Sequence, residues 1–321
     1  MSVEAIIIGA GVVDIPLCPV SEAVFQTGSF PLNDIRMQAG GDALNESVIL
    51  SRLGHRTALV SVLGSDAPGD YLRRILDENG VDTRFVRSCD EHPTGINIVL
   101  VRENGERSFI TNRKSTLRTL ALKDILPLPE ELRSARIACL ASTFVSPALP
   151  VADMTALLRE LKALGMTTCA DTTRPKNGET AADMKELLPL IDFYFPNIDE
   201  ARALTGETEP GAIADAFLAN GLNTLVLKLG ARGCMIATKN ERYIVPAVSG
   251  TNCIDTTGAG DNFAAGFIAA LLENKTVPDC AAFAHAAASV CVEHVGTTTG
   301  VNGRDVVEAR LERIRPPHAE G

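Results

Sequence analysis

The residues that could do chemistry in this chain are concentrated in Asp255-Thr256-Thr257-Gly258-Ala259-Gly260-Asp261-Asn262-Phe263, running on to Gly266. Phe263, Phe267, Ala270 and Leu271 fall on one helical face, which predicts a helix starting at Asp261 with two glycines just ahead of it. A glycine-rich turn feeding a helix start gathers unpaired backbone N–H groups at the positive end of the helix dipole, a ready site for phosphate. Asp261 stands at the mouth of that site, where a carboxylate would repel a phosphate. The local pattern leaves two readings open: an N-cap, or a base that takes the proton of an incoming hydroxyl.

Gly40-Gly41-Asp42-Ala43-Leu44-Asn45 opens a second helical stretch that continues through Leu50 and Leu53 and closes at Gly54. Paired glycines permit close backbone approach to a ligand, and Asn45 offers a donor and an acceptor to a polyol, although the same residues also make a plain helix entry. Asp14 follows the apolar run 5–8, and a charged residue after a buried strand faces a crevice at the carboxyl ends of the strands. Gly9-x-Gly11 invites a dinucleotide-dependent dehydrogenase, but Asp14 holds the place of the third glycine.

The elements that must position these residues follow from periodicity. Residues 57–63 read as a strand and 71–78 as a helix stopped by Gly80, while 96–101 and 107–111 flank Asn104-Gly105, a hairpin signal. Arg113 and Lys114, just beyond, read as solvated charges. Strands at 137–140, 166–170 and 193–195 alternate with helices around Met154 to Leu161 and near 184–188, and Pro196-Asn197 closes the third strand. A further buried strand, 225–229, ends at Gly230-Ala-Arg-Gly233, with short strands at 235–237 and 243–245. Strand–helix alternation with strands apolar on both faces predicts an α/β fold with a mostly parallel sheet covered by helices. No internal repeat interrupts it, and 315–321 reads as a loose tail.

Composition sets the bounds. The 321 residues are 45% hydrophobic and 22% charged, ordinary for a globular protein, and the net charge of −10 disfavours nucleic acid or an anionic membrane as the main partner. Glu4 precedes the first apolar run with no basic segment, and no apolar run reaches the length of a membrane span, so a cytoplasmic protein is expected. Eight cysteines, from Cys18 to Cys291, form no C-x-x-C pair and read as reduced core thiols without a zinc site.

In this arrangement the chain resembles the ribokinase, or PfkB, family of carbohydrate kinases over essentially its whole length. Asp255-Thr-Thr-Gly-Ala-Gly-Asp261-x-Phe263-x-x-Gly266 looks like the family's C-terminal signature, and Gly40-Gly41 with Asn45 is similar to its N-terminal sugar-binding signature. Asp14, Asn197-x-x-Glu200 and Gly230-x-x-Gly233 fall in the family's order.

The resemblance implies one ribokinase-like domain over 1–321, with a central sheet between helices and a small β lid from segments near 11–39 and 94–114. It implies transfer of the ATP γ-phosphoryl to an alcohol of a sugar or sugar-like substrate. A nucleoside kinase of the same fold and a catalytically silent sugar-binding sensor are the alternatives. Asp261 would be the base, and the N–H groups of Gly258, Ala259 and Gly260 the anion hole. Asn197 and Glu200 would organise Mg²⁺ and phosphate through water, and Asp14, Gly40, Gly41 and Asn45 would hold the sugar. The nucleotide would lie along Lys228, Gly230 and Gly233, and near His285. Glu200 as a helix-start carboxylate and His285 as a core histidine are the bland readings.

The resemblance also implies a potassium site from Asp255, Thr257, Cys291 and Gly296, although Gly300 stands where ribokinases place a serine oxygen. Asp42-Ala43 replaces the Lys-Gly of ribose-specific members, and the segment around Phe144 and Val145 lacks their acidic residue, which points away from ribose. Arg113 and Lys114 would then suit a carboxylate- or phosphate-bearing sugar. An apolar lid face would pair two copies into a homodimer.

Overall fold

Four consecutive apolar residues, Ala5-Ile6-Ile7-Ile8, cannot share one face of a strand, because successive side chains point to opposite sides. The fold resolves this by burying both faces. The computed structural model describes residues 2–103, 106–311 and 318–319; the expected Asn104-Gly105 turn lies outside the described residues. In chain order the elements are β1 (Ala5–Ile8), β2 (Val12–Leu17), β3 (Gln38–Gly40), α1 (Asp42–Arg52), β4 (Thr57–Gly64), α2 (Ala67–Glu78), β5 (Val86–Cys89), β6 (Gly95–Val101) and β7 (Arg107–Thr111). They continue as β8 (Ile137–Thr143), α3 (Val151–Ala163), β9 (Thr167–Thr172), β10 (Phe193–Tyr194), α4 (Ile198–Thr205), α5 (Pro210–Ala219) and β11 (Thr224–Lys228). The last are β12 (Cys234–Ala237), β13 (Arg242–Val245), α6 (Ala259–Leu272), α7 (Val277–Val292), α8 (Arg304–Leu311) and β14 (His318–Ala319).

The large sheet runs β14-β13-β12-β11-β10-β9-β8-β1-β4-β5, parallel from β11 to β5 and antiparallel from β11 to β14. Ile7, Leu59 and Cys139 bury against α1, α6 and α7 on one face, where Phe267 packs on Phe193 and Phe195. Ile6, Ile8, Val60 and Leu140 bury against α3, α4 and α5 on the other. A separate small sheet has the order β3-β2-β6-β7, and its strands fall within the segments expected to form a lid.

Four expectations are corrected. Helix α6 begins at Ala259 rather than at Asp261, because Gly258 caps it in the left-handed region (φ +76°); a Cβ there would lie 2.7 Å from the Thr297 Cα. Residues 181–187 are turns followed by a short 3₁₀ turn at Leu188–Leu190, since Pro189 has no N–H to extend a helix. In the expected tail, His318–Ala319 pair with the edge strand β13, whose open backbone groups accept a further strand. All eight cysteines are free, but Cys18 and Cys253 lie in exposed positions outside the core.

Candidate active site

Asp261 lies in the first turn of α6, held from the facing helix. The Asn45 Nδ2 of α1 donates to Asp261 Oδ2 at 2.7 Å, and Asn45 is itself fixed by the Thr297 hydroxyl, 3.0 Å from its Oδ1. No protein donor reaches the other Asp261 oxygen among the described residues, which leaves it open to a hydroxyl. Burial pushes the Asp261 carboxyl up to about 6; the Asn45 hydrogen bond and Lys228 oppose the rise, and Asp171 and Asp14 add to it. The N-cap reading fails, because the carboxylate takes no backbone N–H and the cap is Gly258.

The turn ahead of α6 is built by Asp255. Its Oδ1 accepts from the Thr257 N–H at 2.9 Å and the Thr257 hydroxyl at 2.6 Å, and its Oδ2 accepts from the Gly296 N–H at 3.0 Å. Asn262, wholly buried, donates to the Gly258 and Thr297 carbonyls at 2.8 Å and clamps the turn onto the 296–299 loop. The N–H groups of Gly258, Gly260 and Asp261 have no protein acceptor among the described residues, whereas the Ala259 N–H donates to the Thr256 carbonyl at 3.3 Å. The free donors therefore lie at Gly258, Gly260 and Asp261, one residue displaced from the expected set.

Lys228, at the end of β11, brings its ammonium to 3.2 Å from the position a Cβ on Gly260 would occupy. It pairs with Asp171, at the end of β9, at 2.7 and 3.0 Å. Burial alone would lower the Lys228 pKa, but Asp171, Glu200 and Asp261 outweigh it and keep the ammonium charged. Asp171 escaped the sequence reading, although a charge closing a buried parallel strand is the signal that singled out Asp14.

Asn197 and Glu200 form a reciprocal cap on α4: the Glu200 N–H donates to Asn197 Oδ1 at 2.9 Å, and the Asn197 N–H to Glu200 Oε2 at 2.8 Å. The helix-start reading of Glu200 is thus correct as geometry. Burial raises its carboxyl to about 7, with Lys228 opposing and Asp171 and Asp261 adding. Among the described residues no three His, Cys, Asp or Glu side chains are grouped to hold a metal ion directly. Asn197 Oδ1 is filled by the Asp199 and Glu200 N–H groups, but among the described residues no protein donor reaches Glu200 Oε1, a hard oxygen that fits Mg²⁺ held through water.

Gly230 and Gly233 both have positive φ (+63° and +99°) in the turn after β11, where a Cβ on Gly233 would lie 2.8 Å from the Pro246 Cα. His285 is buried on α7 with its ring edge-on to Phe263, 5.0 Å between centroids, and burial lowers its pKa to about 4. Its Nε2 has no hydrogen-bond partner among the described residues.

On the acceptor side, Asn97 Nδ2 of β6 donates to Asp14 Oδ1 of β2 at 2.8 Å, and a side chain on Gly40 would collide with the Asp14 carboxylate. Gly41 (φ +91°) leaves no room for a Cβ, which would lie 2.6 Å from the Ala10 carbonyl oxygen. Asp42, in the first turn of α1, accepts from the Ser142 hydroxyl at 3.2 Å, and burial followed by Asp261, Asp171 and Glu200 raises its carboxyl well above the usual range. Arg113 and Lys114 are exposed, and among the described residues neither forms an ion pair. The residues expected around potassium do come together: Asp255 binds Thr257 and Gly296, and the Cys291 thiol donates to the Thr257 carbonyl at 3.3 Å.

Replacing Asn45 by Leu removes the hydrogen bond that favours the charged carboxylate, so the Asp261 pKa should rise further above 6. Carboxyl ¹³C titration by NMR measures this, and an unmoved pKa would contradict the assigned contact.

The profile described as pfkB family carbohydrate kinase matches residues 6–303. A ribokinase of Haemophilus influenzae is 29% identical over 278 residues, covering 85% of this chain and 87% of that protein. A 2-dehydro-3-deoxygluconokinase of Bacillus subtilis is 30% identical over 294 residues, covering 87% and 88%. The structure of Arabidopsis thaliana ribokinase complexed with ribose and ATP superposes with a TM-score of 0.81 at 27% identity, covering 97% of this chain and 99% of that one. The chain belongs to the pfkB family of carbohydrate kinases.

Proposed function

We propose that this carbohydrate kinase moves the γ-phosphoryl of ATP to a hydroxyl of a neutral sugar, with Asp261 as the base. The observation that carries the reading is a carboxylate with one oxygen fixed by Asn45 and the other open, beside helix-start N–H groups that lack acceptors. The acceptor hydroxyl gives its proton to Asp261 as its oxygen attacks phosphorus in line with the departing ADP oxygen. The N–H groups of Gly258, Gly260 and Asp261, with the Lys228 ammonium beside Gly260, stabilise the charge on the transferred phosphoryl oxygens. Asn197 and Glu200 would hold Mg²⁺ through water, and when bound it neutralises phosphate charge. Residues 228–233 would flank the nucleotide.

Asp14, Asp42 and Asp261 favour a neutral acceptor. Among the described residues no basic side chain pairs with any of them, and Arg113 and Lys114 are exposed. A carboxylate-bearing sugar would add a like charge. The family reading of Arg113 as a substrate ligand is therefore set aside in favour of Asp14 and Asn97, which support binding of sugar hydroxyls. Free cysteines and a cytosolic co-substrate support a cytoplasmic location. Phe109 and Ile110 on β7, with Ile35 and Met37 beside β3, leave exposed apolar surface on the small sheet, which supports its use as a lid that pairs with a second copy.

Asp261→Asn should lower kcat by about a hundred- to ten-thousand-fold while ATP still binds. Retention of near-wild-type kcat would remove the base assignment. For the native protein, kcat/KM should fall as pH drops through about 6, where Asp261 takes up a proton. A panel of neutral sugars and sugar acids, read as ADP release, should favour the neutral compounds; preference for 2-dehydro-3-deoxygluconate would reverse the substrate assignment. Sedimentation should give a dimer that Phe109→Glu dissociates, and a monomeric native protein would refute the pairing.

A further inference from the structure

One ion pair crosses from the small sheet to the phosphate-site turn. Arg107 Nη2, at the start of β7, donates to Asp255 Oδ1 at 2.6 Å, and both side chains are largely buried (25% and 16% exposed). That oxygen also accepts from the Thr257 N–H and hydroxyl, and Asp255 Oδ2 accepts from Gly296. The Thr257 carbonyl is occupied by the Cys291 thiol. The Cys291 carbonyl accepts from the His294 N–H at 3.0 Å and the Gly296 carbonyl from the Thr299 hydroxyl at 3.4 Å, so donors occupy oxygens of all four residues expected around potassium. These oxygens are spent on protein donors, and a guanidinium already lies against the carboxylate, where it would repel a second cation. The residues do not fit potassium; they fit a fixed positive charge carried by the chain.

We propose that Arg107 takes the place of an activating monovalent cation, acting as a positioning residue that fixes the turn at Gly258 through Asp255 and Thr257. The proposal rests on the kinase reading above. Its physical basis is the charge of the guanidinium, which donates to Asp255 Oδ1 at 2.6 Å beside the Thr257 donors, while Gly296 holds the other carboxylate oxygen. The connection also runs to the acceptor. Arg107 pairs with Val101 of β6, the strand that carries Asn97, and Asn97 holds Asp14 on the adjacent β2. The sheet that grips the sugar therefore also supplies the charge that shapes the phosphate site, so each ligand should strengthen the binding of the other by the same factor.

The test compares the native protein with Arg107→Ala and Arg107→Lys, each in potassium chloride and in tetramethylammonium chloride at equal ionic strength. The native protein should give the same kcat and the same melting temperature in both salts. Arg107→Ala should lose about tenfold in kcat and in the mutual strengthening of sugar and nucleotide binding, with ATP affinity in the absence of sugar unchanged. Guanidinium or potassium should return part of the loss. Arg107→Lys, which keeps the charge but not the planar fork, should fall between. Activation or thermal stabilisation of the native protein by potassium would overturn the proposal, as would full kcat and coupling in Arg107→Ala. Should Arg107→Ala not fold, Arg107→Lys and Arg107→Gln carry the comparison. The melting experiment needs no turnover: a protein that phosphorylates no sugar refutes the kinase reading, while the salt comparison still decides the role of Arg107.

Discussion

The constraint on which this structure depends is a crowd of buried carboxyl groups around one buried ammonium. Asp14, Asp42, Glu46, Asp171 and Glu200 all lie close enough to Asp261, or to one another, to raise each other's affinity for protons, and the Lys228 ammonium opposes that rise at Asp171, Glu200 and Asp261. Such a cluster titrates as a unit, and a proton taken by one member eases the charge on the rest. The unbalanced potential calls for cations from outside. In the proposed reaction a nucleotide arriving with Mg²⁺ would bring them, and the amides of the α6 start would balance the phosphate oxygens that come along. On the same proposal, that potential would discourage an anionic acceptor.

Secondary structure concentrates these charges by a simple geometric rule. Parallel strands β9 and β11 end at Asp171 and Lys228, and Asn197 follows β10, so three neighbouring strands deliver their polar residues to one rim. Helices α1, α4 and α6 begin at that rim, each with an acidic residue in its first turn. The positive ends of their dipoles offset part of the carboxylate charge. The close approach of α1 to α6 puts Asn45 against Asp261, and the 296–299 loop fixes that contact through Thr297 and Asn262.

What the sequence made legible was local. The glycines of the turn and Asp261 are adjacent in the chain, so their spacing singled out the turn, while the family resemblance gave them their expected roles. The alternation of strands and helices likewise exposed the parallel sheet. What stayed hidden depends on distant partners: Asp171 meets Lys228 across 57 residues, and Arg107 meets Asp255 across 148. Neither pair leaves a periodic trace. Asp261 resembled a cap because aspartate favours that position, and only the positive φ of Gly258 shifts the helix start two residues back. Likewise Arg113 looked available because it follows the hairpin, yet the charge that reaches the site is Arg107, at the other end of the same strand.

The account comes down to where the travelling phosphoryl and the accepting hydroxyl meet. A crystal structure with ADP, Mg²⁺, aluminium fluoride and the sugar acceptor reads this directly. The planar fluoride should rest on the N–H groups of Gly258 and Gly260 next to the Lys228 ammonium, with the acceptor oxygen on the opposite side and within hydrogen-bond reach of Asp261. A fluoride bound away from those amides, or an acceptor oxygen remote from Asp261, would contradict it.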